Sequence, residues 1–362
     1  MRSTGRGLKT AASRLQLRNR GFKAARTQRE RAIDATSQHG DTIVVIGSGL
    51  AGLACARALR ATGISARILD KGRAPGGRAA TRVSRSGPTF HHGAPYLNGA
   101  GPGFVAAMAA ATRHGAAAPW DARAEGAWVG TPDMAALMAH LAADLAPRQT
   151  AEITRIEEHA HGVTLWLGEE RIEADRVALT VPAPQARRLM AHDPALIAAL
   201  AGVEMAPCQT LMVVWPEAAA PDFAPDFAHD GAPDGAHDGA PWAGLAPIHA
   251  VAPFARIIRA AGRGALVAHA DARWSRENLE RPSEDICADL LAHLAAGLGI
   301  DAPPLFARAH RWRHARVAVA LGAPCIRSSG GRVILGGDWC LGPNVGDAWE
   351  SGEALAHALI AR

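Results

Sequence analysis

Lysine is almost absent from this 362-residue chain: only Lys9, Lys23 and Lys71 occur, and the single tyrosine is Tyr96. One tyrosine excludes a two-tyrosine cage for a cationic ligand, although the nine tryptophans can supply aromatic faces instead. The five cysteines (Cys55, Cys208, Cys287, Cys325 and Cys340) are odd in number and widely spaced, with no C-x-x-C. That spacing argues against a disulfide scaffold, a zinc site or a dithiol redox pair and fits a reducing, cytoplasmic compartment. No stretch reaches ~18 apolar residues without a glycine or a charge, so no membrane-spanning helix is expected.

The net charge of +5 is uneven along the chain. Residues 1–40 hold ten basic side chains against only Glu30 and Asp34, and removing that segment leaves the body near −3. Nucleic acid is therefore not an expected partner of the body. The extension is polar and lacks the apolar core of a secretory signal, and it reads as disordered; a transit peptide and a non-native upstream start both fit it. Between residues 217 and 241 the tetrads APDF, APDF, AHDG, APDG and AHDG form a low-complexity insertion. Its His229 and His237 have no fixed geometry to hold a metal, so none is expected.

What the body does carry is an apolar strand, TIVVI, running straight into Gly47-Ser48-Gly49-Leu50-Ala51-Gly52, followed by a helix and a second strand ending at Asp70. Gly47 permits the tight turn, Gly49 lets the backbone approach a pyrophosphate, and Gly52 lets the helix pack against the sheet. Unpaired N–H groups and the helix dipole favour an anion there without any side-chain charge. Asp70, 18 residues past Gly52, is placed to accept hydrogen bonds from ribose hydroxyls and to repel a 2′-phosphate. The run KGRAPGGRAATR follows at once; its bare backbone at Gly76 and Gly77, with the Arg78 guanidinium beside it, suits a longer diphosphate ligand such as FAD.

Further along, Met134, Leu137, Met138, Leu141 and Leu145 stand at helical spacing behind Thr131-Pro132-Asp133, predicting a core helix. AEITRIEEH, GVTLWLG, ERIEADRVALTVPAP, PCQTLMVVW and GALVAHADARW read as strands. RVILGGDWC is a buried strand running into Gly336-Gly337-Asp338, and Val345–Ile360 is an amphipathic helix. In HRWRHA, alternation puts His310, Trp312 and His314 on one face and Arg311 and Arg313 on the other.

Taken together, IGSGLAGLACARAL, LDKGRAPGGRAATR, PTFHHGAPYL, TVPAPQARRLM, HRWRHA and GGDWCLGPNVGDAWESGEALA resemble the renalase-like branch of the flavin amine-oxidase fold over about residues 41–362. The resemblance implies a two-lobed α/β protein with a Rossmann-type FAD-binding lobe and an inserted antiparallel-sheet (α+β) substrate lobe. The FAD lobe would comprise residues 41–95, 131–185 and 323–362, and the substrate lobe residues 96–130 and 186–322. It implies non-covalent FAD, and oxidation of the dihydropyridine ring of wrongly reduced NAD(P) with electrons passed to oxygen to give hydrogen peroxide. Expected cofactor contacts are Gly47, Gly49, Leu50, Ala51, Gly52, Asp70, Lys71, Gly76, Gly77, Arg78, Ile153, Asp338, Val345 and Gly346. Among these, Asp338 would hydrogen-bond the flavin's linker, while Val345 and Gly346 begin a helix whose N-terminus stabilises charge at the pyrimidine end of the ring. Two positions depart from the branch's pattern: His91 stands where an acidic residue is expected and Pro95 where a glutamine is expected.

His92, Tyr96, His310 and Trp312 are the candidate catalytic residues, lining a pocket that orients a small-molecule substrate. A dihydropyridine suits so sparse a site, because losing hydride makes an aromatic pyridinium and no enzymic base has to remove a proton. Many amine oxidases of this fold set a lysine near flavin N5, and the substrate lobe here offers none. An amine or polyamine oxidase and a non-catalytic flavin-binding protein are the competing readings.

Overall fold

The computed structural model describes residues 42–83, 88–120, 126–219, 245–246, 253–259 and 264–361. The basic extension and nearly all of the tetrad insertion lie outside these residues; of the latter, only a single turn at Glu217–Ala219 is described.

Four consecutive apolar residues, Ile43–Ile46, make strand β1, and all are buried. That is the pattern of a parallel strand covered on both faces. Its neighbours are β2 (Arg67–Leu69) on one side and β11 (Arg176–Leu179) on the other, both parallel. Beyond them β18 (Val333–Leu335) joins β11 in parallel, and β17 (Ile326–Arg327) closes the edge antiparallel to β18. Segments from the start, middle and end of the described chain thus build one sheet. Alternation sorts its two faces: Ile43, Val45, Ile68, Ala178 and Ile334 meet helices α1 (Leu50–Ala61) and α9 (Val345–Ile360). Val44, Ile46, Val177 and Leu335 instead meet an antiparallel meander of β8 (Arg155–His159), β9 (Gly162–Leu167) and β10 (Glu170–Ala174). Helices α1 and α9 approach closely, since a Cβ on Gly352 would lie 2.3 Å from the Ala51 carbonyl oxygen.

A second, antiparallel sheet runs in the order β13 (Leu245–Ala246), β14 (Phe254–Arg259), β15 (Ala265–Ala270), β12 (Glu204–Val214), β16 (Phe306–Val319). One face, with Leu211, Val213, Leu266 and Ala268, packs on Ile286, Leu290 and Leu294 of α7 (Ser283–Leu298), while α6 (Ala272–Glu277) follows β15. The opposite face, with Met212, Ala265 and Val267, packs on Phe90. Phe90 belongs to a hairpin of β3 (Arg82–Val83) and β4 (Thr89–Phe90).

Residues 97–120 and 126–130 hold a small sheet of β5 (Leu97–Asn98), β6 (Ala117–Pro119) and β7 (Ala127–Gly130) beside α2 (Pro102–Arg113). Their core side chains Leu97, Phe104 and Met108 pack with Leu53 of α1, Trp349 of α9 and Met134 and Met138 of α3 (Met134–Ala142). Asp133 caps α3 by accepting from the Ala136 N–H at 2.8 Å. Short helices α4 (Ala183–Leu189) and α5 (Pro194–Ala199) connect β11 to β12, and α8 (Asp338–Leu341) follows β18. Among the described residues no helix is long and apolar enough to cross a membrane.

Candidate functional site

The turn off β1 sits at Gly47, whose φ of +111° is costly for any residue with a Cβ. Its N–H donates to the Leu69 carbonyl at 2.8 Å, clamping the loop to β2. Gly52 has no room to spare, because a Cβ there would lie 1.9 Å from the Gly47 carbonyl oxygen. Leu50 and Ala51, both buried, start α1 with its amide end at the loop. Gly49 differs in kind: its φ of −72° suits any residue, and a Cβ would meet nothing within 4 Å. Facing it is Gly77, whose own Cβ would lie 3.5 Å from the Gly49 Cα, and the Gly76 N–H donates to the Ser48 carbonyl at 2.8 Å. Two stretches of bare backbone therefore border one open space beside a helix N-terminus.

At one end of this cradle the Asp70 carboxylate accepts from the Ser48 and Gly72 N–H groups, each at 2.5 Å. Each oxygen keeps a lone pair for a further donor. Lys71 is exposed and lies 3.9 Å from Glu152, a loose surface pair, and Ile153 is buried in the core between the parallel sheet and the meander. Sequence reading missed Gln149, whose amide donates to the Ser48 hydroxyl at 3.1 Å from a segment running alongside the end of β2. No periodic pattern marks that contact.

At the other end Arg78 and Asp338 form a bidentate pair at 2.6 and 2.7 Å. Arg78 also lies within 3.3 and 3.4 Å of the Ala315 and His314 carbonyl oxygens on β16. The Arg78 carbonyl accepts from the Ala94 N–H at 2.8 Å, and a Cβ on Gly93 would lie 1.9 Å from that oxygen. This close approach seats His92 against β16. His92 and His310 meet edge to face at 4.8 Å, His92 and Trp312 at 5.2 Å, and His310 and Trp312 at 4.4 Å. The Trp312 indole donates to the His92 carbonyl at 2.9 Å. Arg311 and Arg313, on the other face of the strand, pair with Glu280.

Three of the four candidate catalytic residues thus form one aromatic cluster. Tyr96 is not part of it and packs on Trp120 at 5.0 Å. Burial, then the neighbouring His310 ring and the Arg82 cation, push His92 down to about 3. His310 falls to about 4 from burial and then Arg82 and Arg308. Both imidazoles are neutral at physiological pH.

His91, at the position where an acidic residue was expected, is 1% exposed. Its Nε2 accepts the Met134 N–H at 2.9 Å, satisfying a donor at the start of α3. Burial pushes its pKa to about 3, so the ring stays a neutral acceptor. Gly346 approaches the small sheet so closely that a Cβ would lie 2.6 Å from the Gly99 Cα. Asn344 and Asp347 form a capping box that occupies their own N–H groups. Of the four terminal donors of α9, those of Val345 and Gly346 remain for a ligand.

These features fit FAD. Buried polar atoms without a partner are few in native proteins and call for an explanation. Here Thr81 Oγ1, Gln149 Oε1 and His92 Nδ1 are such atoms, and all three lie on segments bordering the glycine loops. His92 Nδ1 is near the Phe90 carbonyl, which favours the protonated ring, without reaching hydrogen-bond geometry with it.

Residues 45–111 match the NAD(P)-binding Rossmann-like domain and residues 120–360 match the family described as flavin containing amine oxidoreductase. The fold is similar to that of a protein from Exiguobacterium sp. 255-15 provisionally assigned as a protoporphyrinogen oxidase (TM-score 0.62, 12% identity, covering 89% of this chain and 99% of that one). A triple mutant of putrescine oxidase gives a TM-score of 0.61 at 16% identity, again over 89% and 99% of the two chains. Cyclohexylamine oxidase from Brevibacterium oxydans IH-35A gives 0.59 at 13% identity over the same shares. With two thirds of its length matching the family, this chain belongs to the flavin containing amine oxidoreductases and is an FAD-dependent oxidoreductase.

Proposed function

We propose that this protein is a renalase-like oxidase of dihydropyridine isomers of NAD(P)H, using oxygen as the electron acceptor. The balanced reaction consumes one dihydronicotinamide nucleotide, one proton and one O2, and yields the pyridinium nucleotide and hydrogen peroxide. FAD, when bound, supplies the acceptor for a hydride equivalent and the route from it to oxygen. The observation that carries the reading is the cluster of His92, His310 and Trp312, which is aromatic and held neutral by burial and nearby cations.

Such a cluster can position a flat ring by stacking and exclude water, at near-attack separations of ~3–3.5 Å, without having to remove a proton. Gly47, Gly49, Gly52, Gly76 and Gly77 would hold the diphosphate with bare backbone, and Asp70 the ribose. Arg78 and Asp338 would fix the middle of the cofactor, Leu50, Ala51, Lys71 and Ile153 would border it, and the Val345 and Gly346 N–H groups would bind charge at the ring end. The FAD-binding lobe would comprise residues 41–95, 131–185 and 323–362, the substrate lobe residues 96–130 and 186–322, and the setting would be cytoplasmic.

One observation favours a second reading, oxidation of an amine. Tyr96 and Trp120 lie 5.0 Å apart, and an aromatic pair can host an ammonium group. The two readings separate on product: incubation with each dihydronicotinamide isomer should yield pyridinium nucleotide and peroxide in equal amounts. Peroxide from amines alone would replace the first reading with the second.

A further inference from the structure

Along β16 the face that meets β4 carries Phe306, Arg308, His310 and Trp312 in alternation. Two contacts fix how this face docks: Phe306 stacks on Phe90 at 5.6 Å, and His310 meets His92 at 4.8 Å. Arg308 lies between those contacts in the strand, and Arg82 pairs with Phe90 across the β3–β4 ladder. Two arginines, from different segments, are therefore brought to the side of the cleft lined by His310, near enough that both disfavour its protonation. The Arg82 guanidinium is itself destabilised as a cation by burial and by Arg308 and Arg73, in that order.

The arginines around this strand differ in charge balance. On the other face of the same strand Arg311 and Arg313 both reach Glu280, and Arg78 is matched by Asp338. Among the described residues neither Arg82 nor Arg308 has a carboxylate within ion-pair distance. Arg82 is half-buried and Arg308 exposed; a half-buried guanidinium such as that of Arg82 is costly without a counter-ion unless an anion completes it, and Arg308 adds a second, solvent-facing charge. Guanidinium groups also match phosphate oxygens geometrically, with two parallel N–H donors.

We propose that Arg82 and Arg308 form an anion subsite at the edge of the aromatic cluster, which holds the phosphate of the substrate nucleotide while His310 and Trp312 hold its ring. The choice of a nucleotide phosphate rests on the dihydropyridine reading above. The same charge disfavours a cationic amine in the cleft.

The test uses holoenzyme with bound FAD and the variants Arg82→Gln, Arg82→Lys and Arg308→Gln, each checked for full flavin content. In the first arm, KM is measured for reduced nicotinamide mononucleotide isomers and for phosphate-free N-methyl dihydronicotinamide. Each glutamine variant should raise KM for the mononucleotide about tenfold or more, the scale of a charge-assisted hydrogen bond. It should leave kcat and the phosphate-free KM within twofold, and Arg82→Lys should recover part of the loss. Equal changes for both substrates, or none, overturn the subsite. In the second arm, inorganic pyrophosphate is titrated against the flavin absorbance of the non-turning-over enzyme. Saturable binding lost in both glutamine variants supports the subsite even if dihydropyridines are not oxidised, in which case only the choice of nucleotide falls. Binding that is absent from the unaltered protein, or that persists unchanged in the variants, overturns it.

Discussion

Replacing Arg78 by glutamine isolates the ion pair that joins the second glycine segment to the C-terminal part of the nucleotide lobe. Asp338 has a side chain only 9% exposed, and both of its oxygens are taken by the Arg78 guanidinium. Breaking a buried pair by removing one partner costs about 3–5 kcal/mol, because the remaining charge stays desolvated. Arg78 is 31% exposed, so solvent screens part of the interaction and the expected loss is about 2–3 kcal/mol. Asp338→Asn should cost less, about 1–2 kcal/mol, since the freed guanidinium can turn to water and to the β16 carbonyls beside it. The double variant should fall short of the sum by about 1 kcal/mol or more, the signature of two residues in direct contact. Urea denaturation of the three FAD-saturated variants gives these differences, and flavin release measured alongside should rise in all of them. Equal losses for the two single variants with strict additivity would show that Arg78 and Asp338 do not stabilise each other.

Two further outcomes follow from the cradle and the buried histidines. Gly49→Val should fold with an unchanged circular dichroism spectrum yet purify without flavin, because its Cβ enters open space at an ordinary φ, whereas Gly52→Ala should lose stability through its clash with the Gly47 carbonyl. A fully yellow Gly49→Val protein would contradict the first expectation. His91 and His92, both lowered to about 3 in the fold, titrate near 6.5 once unfolded, so the unfolded chain binds more protons between those values. Their contribution is complete above pH 6.5 and is lost as pH falls toward 3, at up to about 1.4 kcal/mol per pH unit for each ring. Urea midpoints that stay level from pH 7 to pH 5 would show that these rings are not held neutral.

Local patterns were legible in the sequence. Strand β1, the glycine turn, α1 and Asp70 form one continuous stretch, and α9 spans Val345–Ile360, where apolar periodicity put it. The alternation in HRWRHA likewise separated the two arginines on Glu280 from the His310 and Trp312 face. The core helix behind Asp133 is shorter than its apolar spacing suggested, ending at Ala142. Contacts between distant segments left no such trace. Arg78 meets Asp338 across 260 positions, and His91 meets Met134 across 43. Nothing in either residue's neighbourhood in the chain marks its partner, so Asp338 read as a ligand for the cofactor alone and His91 as an anomaly. Within the segment 96–130, Leu97, Phe104 and Met108 share a core with Leu53 of α1 and Trp349 of α9, contacts that no periodicity in the sequence marks.

The most direct test of the account mixes the purified flavoprotein anaerobically, in separate cells, with isomeric dihydronicotinamide nucleotides and with a panel of amines, following the flavin band in the visible. Rapid bleaching by at least one dihydronicotinamide isomer, with the amines leaving the band intact, is the predicted result. Bleaching by amines while every dihydronicotinamide leaves the colour unchanged would contradict it.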